Sequence, residues 1–384
     1  MDIASLATTS AATMTPLHEG LAILWFLLIA VLMIGYFILD GFDLGCGILY
    51  PFIAKKEGEK ALVRRAVGPL WDGNEVWLLT AGGALFAAFA PAYATTFSGF
   101  YLAIMLVLFG LIFRAISIDY RERDTKWKKF WDGAFFIGSF LPALLFGAAL
   151  GNVVGGIALV GAGSTDMIAK GYAIGDYVGG FTALLNPFGL LCAVMGLVVI
   201  IAQGAAWLAL KAPVGSPVHQ RAVKMRSLFS TVVLVVFALL SAFALLLVVP
   251  GFEGRSGLMF AYVFAGVFVV GWILTRYFMS KNNDLFSFLS LSLIPVALVG
   301  IAAASLFPNL VPAADNPVGF FTYFLVPGTD IVADSLTIFN AANSQLCLTA
   351  MTIITCIALP IVLVYHVIIY RTFRGRIKEE DYGY

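Results

Sequence analysis

Long apolar runs recur along the chain, each bounded by a short polar or charged stretch. They are Leu21–Leu39, Val76–Ala90, Thr96–Phe113, Phe135–Leu150, Phe188–Leu210, Leu228–Val249, Leu258–Phe278, Leu285–Phe307 and Leu346–Tyr370. About 20 apolar residues in a helix cross the hydrocarbon of a bilayer, so the pattern predicts about nine transmembrane helices. The second run is short, and its helix is expected to begin inside the preceding motif, Trp71-Asp-Gly-Asn-Glu-Val-Trp77. Asn152–Gly180 and Pro308–Asn343 are the longer connections. Both carry Gly, Pro and Asp and are modest in length; with no linker and no second compartment, residues 1–384 are expected to form a single polytopic membrane domain.

Composition strengthens this picture. Of 384 residues, 61% are hydrophobic and 12% charged, against roughly 45–50% and about 25% in soluble domains. A net charge of +1 gives nucleic acid no electrostatic foothold. The basic residues set an orientation. Lys55, Lys56, Lys60, Arg64 and Arg65 follow the first run; Arg121, Arg123, Lys126, Lys128 and Lys129 follow the third. Lys211, Arg221, Lys224 and Arg226 follow the fifth, Arg276 and Lys281 the seventh, and Arg371, Arg374, Arg376 and Lys378 the ninth. Only Lys170 and Arg255 run against the alternation. Cytoplasmic loops concentrate Lys and Arg, so the amino terminus is expected outside and the carboxyl terminus inside. The first twenty residues lack a basic n-region, so no cleaved signal peptide is expected. Cys46, Cys192, Cys347 and Cys356 lie in apolar runs without metal-type spacing and read as core residues.

With this orientation, several acids fall at one end of the bundle. Asp40 and Asp43 follow the first run, Asp72 and Glu75 open the second, and Arg114 and Asp119 close the third. Asp40 and Asp43 are three apart and share a helical face if the helix continues through Gly41. Ionisable groups at membrane depth are costly and are found in proton routes. Asp43, Asp72, Asp40, Glu75, Arg114 and Asp119 are therefore the candidate proton-path residues. A structural reading competes: Asp72 or Asn74 caps the second helix, and Arg114 pairs with Asp119.

Ligands for a redox centre are poorly represented. His18 precedes the first run, His219 sits in a basic loop, and His366 stands alone near the end of the ninth. Met33, Met105 and Met195 have no partner ligand and read as core. Asn186, Gln203 and Asn343–Gln345 are explained by interhelical bonds or caps, and the small residues of Thr80–Ala84 and Phe97–Phe100 by close helix approach. Trp71, Trp77, Trp127 and Trp131 gather toward the basic end, as an aromatic belt does.

Asp40-Gly-Phe-Asp-Leu-Gly45 and the Trp71–Trp77 motif resemble subunit II of the cytochrome bd family of quinol oxidases, including its cyanide-insensitive branch. Ala81–Ala88, Phe97–Tyr101, Phe113-Arg114, Trp131-Asp132, Gly138-Ser139, Leu185–Phe188, Gln203-Gly204, Phe307-Pro308, Ser344–Leu346 and Phe373–Ile377 continue the likeness in the family's order. The resemblance implies a bacterial inner-membrane complex that passes electrons from quinol to O2, forms water and builds a proton gradient without pumping. It implies two haems b and haem d in a partner, subunit I, and none held here. It also implies small single-span accessory subunits, contact with membrane lipid, and in some members a structural ubiquinone in this subunit. It implies two four-helix bundles with the fifth helix between them. At matching positions it places Asp43 and Asp72 on a cytoplasmic proton route and Trp77 near an oxygen approach. One departure is Leu70, where family members often carry His.

A proton-coupled transporter is the alternative. It predicts repeat symmetry and broken helices around midplane polar sites, whereas here the acids gather at one end. A purely structural partner, with the acids as caps, is the third reading.

Overall fold

The computed structural model describes residues 14–161, 168, 169, 171, 173–248, 257–313 and 335–378. Lys170, Arg255 and the first thirteen residues, on which expectations were placed above, lie outside them.

Helix α1 (Pro16–Ile53) sets the frame. Thr15 caps it by accepting the His18 N–H, Pro16 occupies its first position, and no proline follows until Pro51 in its last turn. Its 38 residues make about 57 Å at 1.5 Å per residue. Tilted by ~40°, it would still cover about 44 Å along the normal, more than the ~30 Å hydrocarbon. The expected end at Leu39 is therefore corrected. The helix continues through Gly41, and every residue from Asp40 to Tyr50 is buried. Asp40 and Asp43 looked like a terminus because hydropathy treats an acid as exposed, yet protein surrounds these two.

A surface helix, α2 (Glu57–Val67), turns the chain back into α3 (Trp71–Ala88). The expected Thr96–Phe113 helix is divided. Residues Ala90–Gly99 form α4, and α5 (Tyr101–Arg123) starts afresh after Phe100, whose φ of −98° and ψ of 20° interrupt the helix. Then follow α6 (Lys128–Gly155), α7 (Pro187–Lys211), α8 (Pro217–Phe243, extended by a π turn at Ala244–Val248) and α9 (Leu258–Ser280). The eighth run bends at Ser292 into α10 (Asp284–Leu291) and α11 (Leu293–Leu306). Strand β1 (Asn309–Val311) pairs antiparallel with β2 (Leu336–Thr337) before the last helix, α12 (Gln345–Thr372). Among the described residues eight spans are long and apolar enough to cross a membrane. The ninth candidate, α3, carries Asp72, Asn74 and Glu75 in its opening turns. This is an all-helical membrane protein with eight to nine long apolar helices.

Helix α7 is the centre, packed against α1, α6, α8 and α10. Its crossing with α1 is backbone on backbone: a Cβ on Gly45 would lie 2.1 Å from the Ile200 carbonyl oxygen, and one on Gly204 would lie 2.2 Å from the Gly45 carbonyl carbon. Small residues permit such contact where lipid supplies no hydrophobic drive between helices. Helix α12 differs: only Leu348 is buried along it. Hydrogen bonds hold it instead, from Trp25 Nε1 to Thr352 Oγ1 (3.1 Å) and from Thr15 Oγ1 to Gln345 Oε1 (2.6 Å). Beyond it the chain straps back: Lys211 donates to the Phe373 carbonyl, the Ile377 N–H donates to the Lys211 carbonyl, and Arg376 reaches the carbonyls of Ala209 and Ala212.

Gly45→Ala should force α1 and α7 apart and cost about 1–3 kcal/mol, read as a lower thermal midpoint of the purified protein. Gly82→Ala, where an added Cβ meets nothing within 4 Å, should leave that midpoint unchanged.

Candidate functional site

Three helices converge on one buried guanidinium. Arg114 of α5 is fully buried and donates from Nη1 to Asp40 Oδ1 of α1 at 2.6 Å. Its Nη2 donates to Glu75 Oε1 of α3, which is half-buried. One turn along α1, Asp43 Oδ2 accepts from Asn74 Nδ2 at 2.7 Å. The same amide donates to the Leu39 carbonyl, and its oxygen accepts from Tyr370 of α12 at 3.0 Å. A fork of donors suits a buried cation between two carboxylates, since each charge keeps hydrogen-bonded company away from water. The set is incomplete, however. Asp40 Oδ2, Asp43 Oδ1 and Arg114 Nε are buried without a hydrogen-bond partner.

Four of the six expected acid-cluster residues thus meet: Asp40, Asp43, Glu75 and Arg114. The other two stay outside. Asp72 is exposed on α3 and does not cap it, because Leu70 holds the N-cap position without a side-chain bond. Asn74 does not cap it either; its amide is spent on α1. Asp119 is exposed on α5, five residues after Arg114, so the two side chains leave the helix on different sides. The expected Arg114–Asp119 pair is replaced by pairs to Asp40 and Glu75.

A second polar layer lies seven residues further along α1 and α5, about 10.5 Å. The hydroxyl of Tyr50 accepts from Arg64 Nη1 (2.6 Å) and donates to Asp132 Oδ1 (2.8 Å). Asp132 also pairs with Lys60 (2.6 Å) and Arg121 (2.9 Å), Arg121 with Glu57 (2.8 Å), and Arg64 with Glu122 (2.6 Å). Hydrogen bonding from Arg121 holds the Glu57 carboxyl below its ordinary range. That contribution is in place above the ordinary carboxylate range and is lost as pH falls through the lowered value. Sequence reasoning missed this layer because it reads as an ordinary basic loop. The four-three spacing of Asp43, Gly47 and Tyr50 was the available signal.

Trp77 lies nearby on α3. Its indole N–H donates to His366 Nε2 at 3.0 Å, while His366 Nδ1 donates to the Val362 carbonyl at 2.9 Å. The expectation that His366 stands alone is therefore corrected: Trp77 and the Val362 carbonyl fix the orientation of its ring. The Trp77 ring lies against Gly35, where a Cβ would come within 2.2 Å of it. It floors an apolar groove of about 510 Å³ between α1, α3 and α12, lined by Leu28, Val31, Thr80, Gly83 and Ile354. His18 Nε2 contacts the Asn343 carbonyl, and His219 Nε2 contacts Asp284. Among the described residues no three His, Cys, Asp or Glu side chains converge as a metal site. A second apolar cavity, about 270 Å³, lies between α6, α7, α8 and α11. Gln203 lines it, fully buried, with neither amide atom hydrogen-bonded.

Arg114→Gln should leave Asp40 and Glu75 without their cation. Breaking a buried pair from one side costs about 3–5 kcal/mol, seen as a lower thermal midpoint and a lower yield of assembled protein. Asp119→Asn should change neither.

Comparison with known proteins gives this arrangement a family. A solved bd oxidase chain from Geobacillus thermodenitrificans shares the fold, with a TM-score of 0.72 over 92% of this chain and 98% of that one, at 14% identity. Cytochrome bd-I ubiquinol oxidase subunit 2 of Escherichia coli K12 is 34% identical, covering 95% of this chain and 97% of its own length. Cytochrome bd ubiquinol oxidase subunit 2 of Bacillus subtilis is 30% identical over 96% and 99%. Residues 21–373 match the family model described as cytochrome bd terminal oxidase subunit II. The convergence of Asp40, Asp43 and the Trp71–Trp77 motif on Arg114 lies within that match, and the chain belongs to the cytochrome bd terminal oxidase subunit II family.

Proposed function

We propose that this chain is the haem-free half of a ubiquinol:oxygen oxidoreductase in the bacterial inner membrane. Its amino terminus faces outward and its basic end faces the cytoplasm, with two four-helix bundles flanking α7. Subunit I carries the two haems b and haem d, where electrons from quinol reduce O2 to water. The present chain brings protons to that partner from the cytoplasm. The observation that carries this reading is the buried Asp40–Arg114–Glu75 bridge, with the unpartnered oxygen of Asp43 one turn away. Because Arg114 stays positive, it keeps one neighbouring carboxylate charged while another exchanges a proton. Glu75 and the exposed Asp72 lead from this bridge to the outer surface of α3.

Oxygen, being apolar, partitions into the groove floored by Trp77, whose ring is held still by His366 and Gly35. A structural quinone fits the cavity beside Gln203. Its tail would match the apolar wall, and the unpaired amide N–H of Gln203 would donate to a ring carbonyl. Bound there, a quinone would add rigidity and stand apart from the proton route. Asp119, exposed and unpaired among the described residues, is given no part either.

The chain should copurify with a haem-bearing polytopic subunit. In that complex Asp43→Asn should leave haem spectra intact and slow quinol:O2 turnover about tenfold, ~1.4 kcal/mol on the barrier. Unchanged turnover would refute the proton role. Gln203→Leu should lower the quinone recovered by solvent extraction, with turnover maintained.

A further inference from the structure

One face of α1 carries polar positions at Tyr36, Asp40, Asp43, Gly47 and Tyr50. Steps of four and three keep them within one stripe, about 21 Å long. All five are buried. Gly47 offers no polar side chain, but its place is filled from α6: a Cβ there would fall 1.9 Å from Ser139 Oγ. Ser139 is fully buried, and its hydroxyl has no partner. Tyr36 Oη, Asp40 Oδ2 and Asp43 Oδ1 are also without partners. Unpaired polar atoms are few in a protein interior and, where they occur, ordered water meets them. Four along one stripe mark a column. Its lower end is Tyr50, bonded to Asp132 in the outer charged layer. Its upper end is Tyr36, and just below that the Arg114 bridge branches off through half-buried Glu75 onto α3.

We propose that this stripe is the proton wire of the subunit, with Ser139 and Tyr50 as route residues joining the Asp132 layer to Asp43. The proposal rests on the proton-delivery reading above and adds the path. A proton arrives at the Asp132 end. At each hop one O–H bond breaks in the donor as one forms on the next oxygen. A hydroxyl such as that of Ser139 both accepts and donates, so it is returned unchanged. Asp43 takes the proton on its free oxygen and releases it toward Asp40 and Glu75. Tyr36 lies beyond the turn-off and ends the column. The competing path begins at exposed Asp72 and bypasses the stripe.

The test uses the complete complex with its haem subunit. Ser139→Ala and Tyr50→Phe each remove one hydroxyl. Turnover should fall about tenfold, with a solvent deuterium isotope effect above that of the wild type and an unaltered haem spectrum. A structural defect would not raise the isotope effect. Wild-type rate and isotope effect in both variants, with Asp43→Asn still slow, would overturn the wire and leave delivery through Asp72. Wild-type behaviour in Asp43→Asn as well would overturn the delivery reading itself. Hydroxyl-radical footprinting of the wild-type complex needs no variant. Labelling of buried Tyr36 and Tyr50 is expected from water in the column, and protection of both would overturn the proposal.

Discussion

The structure depends on how a permanent positive charge is kept inside a greasy protein. Arg114 cannot give up its proton, so its site has to supply negative partners. Asp40 and Glu75 do so from α1 and α3, and in meeting Arg114 they fix the mutual rotation of three helices. Apolar packing alone tolerates sliding and rotation between helices in lipid; a buried ion pair does not. The glycine crossing of α1 with α7 then fixes the same helix from its other side. The acid cluster is thus part of the scaffold, and substitutions there have to be read for assembly as well as for rate.

Much of this was legible beforehand. The apolar runs located the helices, and the Asp40–Asp43 spacing announced a shared face. Three features were hidden, each for a physical reason. Hydropathy ended α1 at Asp40 because it scores an acid without knowing its partner, and the partner lies 74 residues away. Asp72 and Asp119 resembled Asp43 and Glu75 in sequence, but helical phase sends them to the surface. His366 looked solitary because its companion, Trp77, lies 289 residues earlier. Long-range pairing is what a linear reading sees least.

Two polar levels lie along α1. The outer one, around Asp132 and Arg121, is a mesh of paired charges that ties α2, α5 and α6 together near water. The inner one is sparse and leaves oxygen atoms unpaired. Both levels lie along the same stripe of α1, about 10.5 Å apart.

The strap beyond α12 has a consequence for handling the protein. The last helix shares little apolar surface with its neighbours, and Lys211 and Arg376 tie its trailing segment to the end of α7. Fusing a bulky reporter directly after Gly375 would pull against that knot and loosen the helix that holds Trp77 and Asn74 in register. A label intended to be silent belongs elsewhere on the chain.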